Sequence, residues 1–131
     1  MAWEGPCCLK LTGLTASADL SAKQYYFVKM SGEKTVTFCA AVTDVPVGVL
    51  QNKPESGEEA EIVCIGVTKV SGDEDLDYGN IIGTSADGQA QAVTVGTETT
   101  VYIAGQVLNG NGAAGGIATA VVNCAAPARA A

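Results

Sequence analysis

The sequence predicts an all-β fold, a small β-barrel or sandwich with an extended N-terminal arm. Three observations carry this. Apolar residues occur in short runs rich in Val, Ile and Tyr, each bounded by Gly, Asn, Asp or Pro. Sixteen glycines punctuate the chain where tight turns need them. No stretch of helical length carries the apolar stripe that an amphipathic helix needs.

Residues 1–22 read as the arm. Cys7 to Thr12 has strand character, but Gly5, Pro6 and Gly13 interrupt it and Thr15 to Ser21 is small and polar. Patterning becomes regular over 23–124, the expected barrel domain. Lys23 to Ser31 and Thr35 to Ala41 flank Gly32-Glu33-Lys34 as a hairpin. Pro46 and Pro54 bracket a short strand at Val47 to Gln51, suited to an edge or bend. Glu59 to Val70 is apolar on both parities, the pattern of a strand buried on two faces. Such a surplus predicts a homotrimer, because one small barrel leaves the second face uncovered. Further strands are expected at Asn80 to Ser85, Gln89 to Val95, Thr100 to Leu108 and Ile117 to Asn123. Residues 125–131, Ala-rich, read as a flexible tail.

Composition narrows the function. A net charge of −7 repels phosphate, and no basic cluster offsets it, so a nucleic-acid partner is not expected. No apolar run spans a membrane, and Glu4, Gly5, Pro6, Lys10 and Asp19 interrupt any signal-like core, so no membrane partner is expected. The five cysteines, Cys7, Cys8, Cys39, Cys64 and Cys124, are odd in number and include a vicinal pair. They read as reduced thiols of a protein made in a cytoplasm.

Histidine is absent, which removes Ser-His and Cys-His nucleophile pairs and the common zinc sites. No catalytic residue, metal or cofactor is therefore assigned, and an enzyme is not expected. Gly110-Asn111-Gly112-Ala113-Ala114-Gly115 spells a dinucleotide fingerprint, yet a strand pattern follows where the fingerprint needs a helix. Asp73 to Gly79 has alternating carboxylates, but the glycine is one position late and Thr84 stands where a calcium loop needs Glu. An acidic turn is the plainer reading. Val28-Lys29-Met30 has the letters of a biotinyl-lysine turn but lies inside a strand.

The segment Gly48-Val49-Leu50-Gln51-Asn52-Lys53-Pro54, followed by Gly57-Glu58-Glu59-Ala60-Glu61-Ile62, resembles the head decoration (capsid cement) proteins of tailed phages. The likeness runs from about Lys23 to Val122. It implies a compact small β-barrel or β-tulip-like domain that trimerises on the outer capsid surface, with the major capsid protein as partner. It also implies a structural role, stabilising the expanded shell. The arm then supplies the expected capsid contacts, Trp3, Leu9, Leu11 and Leu14, by adding a strand to a neighbour's edge; the alternative is that Cys7 to Thr12 is the first strand of the barrel. The competing functional class is a ligand-binding or carbohydrate-binding β-module on a virion surface, for which exposed flat aromatic rings would be the signature.

Overall fold

The computed structural model describes residues 2–5 and 7–131, with the side chains of Cys7 and Cys8 outside the described set. Eleven strands form among the described residues: β1 Cys7–Ala16, β2 Phe27–Gly32, β3 Thr35–Phe38, β4 Gly48–Leu50, β5 Glu59–Ser71, β6 Ile81–Thr84, β7 Ala90–Ala92, β8 Tyr102–Ile103, β9 Gly105–Asn109, β10 Ile117–Asn123 and β11 Ala128–Arg129. The all-β expectation holds.

Five strands close a barrel in the order β1-β3-β2-β4-β5, sealed by antiparallel pairing of β1 with β5. Each stave directs alternate side chains inward. Ala16, Val28, Val36, Leu50, Ala60 and Ile62 fill the interior with Leu20, and Leu11 and Leu14 pack against them. The N-terminal segment is thus a barrel stave, and the expected boundary at residue 22 does not describe the fold. The reason is register: Leu11 lies opposite Ile62 and Leu14 opposite Ala60, so β1 fills an edge of β5 that would otherwise be open.

β5 serves two structures. Ile62 and Val63 pair with both β1 and β4, while Ile65 and Gly66 pair with both β1 and β10. One edge of β5 therefore carries β1, and the other carries β4 and then β10. Seven consecutive pairs, from Ile117 opposite Ser71 to Asn123 opposite Ile65, hold β10 in place. The sheet continues through β9 and β6 to β7.

The outward residues of the barrel wall, Phe27, Val49 and Val63, are covered by Ile82, Ala90, Val107, Ala118, Ala120 and Val122 of that extension and by Leu76 from the acidic turn. This second core corrects the argument for a trimer drawn from β5. From Ile62 to Cys64 the strand is indeed buried on two faces, but there the chain covers both faces itself.

Other boundaries moved for local reasons. The first hairpin strand starts at Phe27 because Tyr25 takes a left-handed φ of 68° and Tyr26 N–H closes a turn on the Lys23 carbonyl. Thr100 to Leu108 splits at Ala104, whose N–H donates to Ile82 and whose side chain is buried. The C-terminal residues are a docked strand rather than a loose tail: β11 pairs with β8, and Ala130 is buried against Val93 and Val101.

Candidate functional site

The phrase from Gly48 to Pro54 is committed almost wholly to holding the fold. Gly48 pairs with Val28 and lies so close to β5 that a Cβ would sit 2.5 Å from the Val63 carbonyl oxygen. Val49 and Leu50 are buried on opposite sides of the barrel wall. Gln51 donates its N–H to the Glu61 carbonyl and its side-chain amide to Val49 O and Thr68 Oγ1. Asn52 donates to Glu59 O at 2.9 Å and accepts from Glu61 N at 3.1 Å, clamping the β4–β5 turn. Pro54 is buried, and only Lys53 points freely into solvent.

Two other sequence motifs hold each other. Asn111 accepts from Leu76 N at 2.8 Å and donates to Glu74 O at 2.9 Å, so the glycine-rich loop is the clamp of the acidic turn. Gly115 N–H donates to Gly72 O and Gly72 N–H to Gly116 O. β10 follows this loop, not a helix, so no row of N–H groups is aimed at a pyrophosphate. Among the described residues no three carboxylates or thiols are placed to share a metal ion.

Cys39, Cys64 and Cys124 are buried thiols of the second core. Burial pushes the Cys39 and Cys124 thiols up to about 12, which keeps them protonated and poor nucleophiles. Cys124 also lines an open apolar groove of about 440 Å³ in the fork where β4 and β10 part along β5, with Met30, Val45, Pro46, Val47 and Pro127. Lys29 also lines the groove, and its Nζ is paired with Asp44 Oδ2 at 2.9 Å. Asp44 also accepts from Ala40 N and Ala41 N. Burial alone would raise the Asp44 carboxyl, yet these bonds outweigh it and hold the group below its ordinary value.

The remaining feature is an uncovered sheet face. A bulge pairs Leu9 with Ile65 and Lys10 with Val63. Past it, the side of β5 that fills the barrel continues as Ile65, Val67 and Lys69, beyond the barrel's end. Cross-strand partners share a face, so Leu9 stands beside Ile65, Val121 beside Val67 and Thr119 beside Lys69. Ile117 and the β9 residues Gln106 and Leu108 complete that face.

The chain start crosses it. Gly5 N–H donates to Val67 O at 3.1 Å. Trp3 N–H donates to Thr119 Oγ1 at 2.7 Å, and that hydroxyl donates back to Trp3 O at 3.1 Å. Thr119 is buried as a result. Trp3 (46% exposed), Leu9 (42%), Leu108 (42%), Val121 (39%) and Ile117 (36%) leave one broad apolar surface.

Of the four expected contact residues, Trp3 and Leu9 lie on this face. Leu11 and Leu14 point into the barrel and are corrected to core-packing residues. Leu108, Ile117 and Val121 were missed. For Ile117 and Val121 the signal lies in the apolar residues on both parities of 117–122, which require cover on a second face, whereas Leu108 shows no such pattern.

No protein-family model matches the chain. No curated protein matches it in sequence either. Among solved structures, the one described as the crystal structure of head fiber gp8.5 N base in bacteriophage phi29 superposes with a TM-score of 0.66. The match covers 88% of this chain and 94% of that one at 18% sequence identity. At that identity the likeness establishes a shared fold.

Proposed function

We propose that this protein is a non-catalytic structural component of a bacteriophage head. It is a decoration or cement protein that binds the major capsid protein on the outside of the shell, as a homotrimer, and stiffens the expanded lattice. The observation that carries the reading is the superposition, over most of both chains, on a protein described as the base of a phage head fiber. Three features support it. The Gly48–Pro54 phrase resembles cement proteins. The side-chain amides of the sequence motifs, Gln51, Asn52 and Asn111, are committed to internal hydrogen bonds, as a rigid building block requires. An apolar sheet face is left for contact with other protein chains, through Trp3 and Leu9 among others.

The test is binding to heads. Purified expanded heads, from the phage whose capsid gene accompanies this one, are mixed with the protein and sedimented. Saturable co-sedimentation and greater resistance of the heads to heat or osmotic rupture are expected. Failure to bind both expanded and unexpanded heads overturns the proposal.

A further inference from the structure

We infer that the apolar face of β1, β5, β10 and β9 is the surface through which copies of this chain associate, with Trp3 near its centre. The inference rests on the reading above of the protein as an assembly subunit and names the partner of that face.

Charge chooses the occupant. The chain carries 14 acidic and 7 basic residues, so two copies repel wherever their ordinary surfaces meet. The outward residues of this face are Leu9, Ile65, Val67, Lys69, Gln106, Leu108, Ile117, Thr119, Val121 and Asn123, and none is acidic. No Asp or Glu occurs anywhere after Glu98. Glu4 borders the face beside Trp3 and Lys69 lies on it, so the few charges present are of both signs, while Lys10 shares the opposite face with Val63. A basic partner would be met by the acidic turns at 55–61 and 73–77. A surface emptied of carboxylates on a strongly acidic protein suits a partner of the same net charge, namely another copy.

Size agrees. The five exposed residues present roughly 400 Å² of apolar surface. That is about the apolar half of the ~800 Å² that each partner contributes to a standard interface. The face is also rigid. Its strands are buried on the reverse side in the second core, and the Trp3 backbone is held by its two bonds to Thr119, so little main-chain ordering is left to oppose binding.

Trp3 is the chain's single tryptophan and therefore reports on this face alone. The test combines light scattering with Trp emission across a concentration series, on wild type and on Val121→Asp and Leu108→Asp. Val95→Asp, at an exposed apolar residue off this face, is the control. The wild type is expected to assemble, at about 40 kDa if threefold, with emission moving to shorter wavelength as it does. Added salt should strengthen assembly by screening the repulsion. The two face variants should remain monomeric at concentrations at least tenfold above the wild-type midpoint, and the control should assemble normally.

A wild type that is monomeric at all concentrations overturns the inference. So do folded face variants that assemble as the wild type does. Should either variant fail to fold, the wild-type concentration series and its emission shift still decide. Head binding separates the two proposals. Monomers that bind heads sink the self-association, and the trimer with it, but leave the attachment to heads intact, whereas assemblies that ignore heads sink the attachment and leave the self-association.

Discussion

Replacing Gly48 by Ala tests whether the Gly48–Pro54 phrase is a packing device or a surface motif. Gly48 has no left-handed φ, so Ala meets no backbone penalty there and the cost is steric. The new Cβ would lie 2.5 Å from the Val63 carbonyl oxygen, where ordinary contact begins near 3.4 Å, and it also meets Ile62 Cγ2. Neither neighbour can retreat freely. Val63 O belongs to the backbone of β5, and Ile62 fills the barrel.

β4 must therefore shift outward by several tenths of an ångström, loosening the Val49–Val63 and Leu50–Ile62 pairs. Overpacking of this kind costs about 1–3 kcal/mol, and immobile neighbours put the site at the upper end. The stiffer unfolded chain returns about 0.4–1 kcal/mol. A net loss of about 2 kcal/mol lowers Tm by about 6–10 °C for a domain of this length. Thermal unfolding followed by circular dichroism is the assay. Gly57→Ala is the control: it has φ of +87° and nothing within 4 Å, so it carries only a conformational cost of about 1 kcal/mol. A Gly48→Ala protein melting within about 2 °C of wild type, a loss of under about 1 kcal/mol for a domain of this length, would refute the packing argument.

Deleting Met1–Thr15 removes a stave and opens two strand edges, so the product should lack a cooperative melt; deleting Met1–Gly5 should leave a folded barrel. A folded Met1–Thr15 deletion would show that β1 is dispensable. Asp44→Asn should cost about 1–2 kcal/mol at neutral pH by weakening charge-assisted bonds to Lys29, Ala40 and Ala41. Because the folded Asp44 carboxyl lies below its unfolded value of 3.8, that contribution is complete above the unfolded value and fades as pH falls through the folded one. The gap between wild type and Asp44→Asn should close in acid, and a gap independent of pH would contradict the assignment. Cys39 and Cys124, raised to about 12, should resist alkylation at pH 8 in the folded protein and react on unfolding. Their raised values also mean that stability falls as pH rises past the unfolded thiol range near 9. Rapid native alkylation at either position would refute their burial.

Strand existence was legible because it depends on local alternation. Glu59 to Val70, Ile117 to Asn123 and the β2–β3 hairpin could be read from parity and turn residues alone. Closure was not legible. The pairing of Leu11 with Ile62 spans some fifty residues and rests on bulges that the sequence does not announce. The same gap hid the second core: apolar parity in β5 shows that both faces are covered, but not whether by this chain or by another. The tail misled because Ala-rich composition looks featureless, while Ala130 is buried for its small size. The candidate face was half legible. Trp3 and Leu9 stood out by type, but only the bulge opposite Ile65 shows that Leu9 points outward at the barrel's end and Leu11 inward.

The small-residue composition follows from this double use of β5. The second core stacks the β10-β9-β6-β7 sheet against the outside of a barrel wall, and Ala90, Ala104, Ala118 and Ala120 lie at that junction. Small side chains let the layers approach closely, while Phe27, Leu76 and Ile82 supply the bulk. Each layer is thus fixed from both sides, by strand pairing along β5 and by the second core, and neither can tilt without unpairing the other. That stiffness has a consequence for association. A flexible face loses entropy on binding; this one, with the Trp3 backbone tied to Thr119, has little main-chain freedom left to lose. A chain of this size that keeps five large apolar side chains on one rigid face, with Glu4 at its border the nearest carboxylate along the chain, has gained nothing for its own stability by doing so. The face is explained by what it meets.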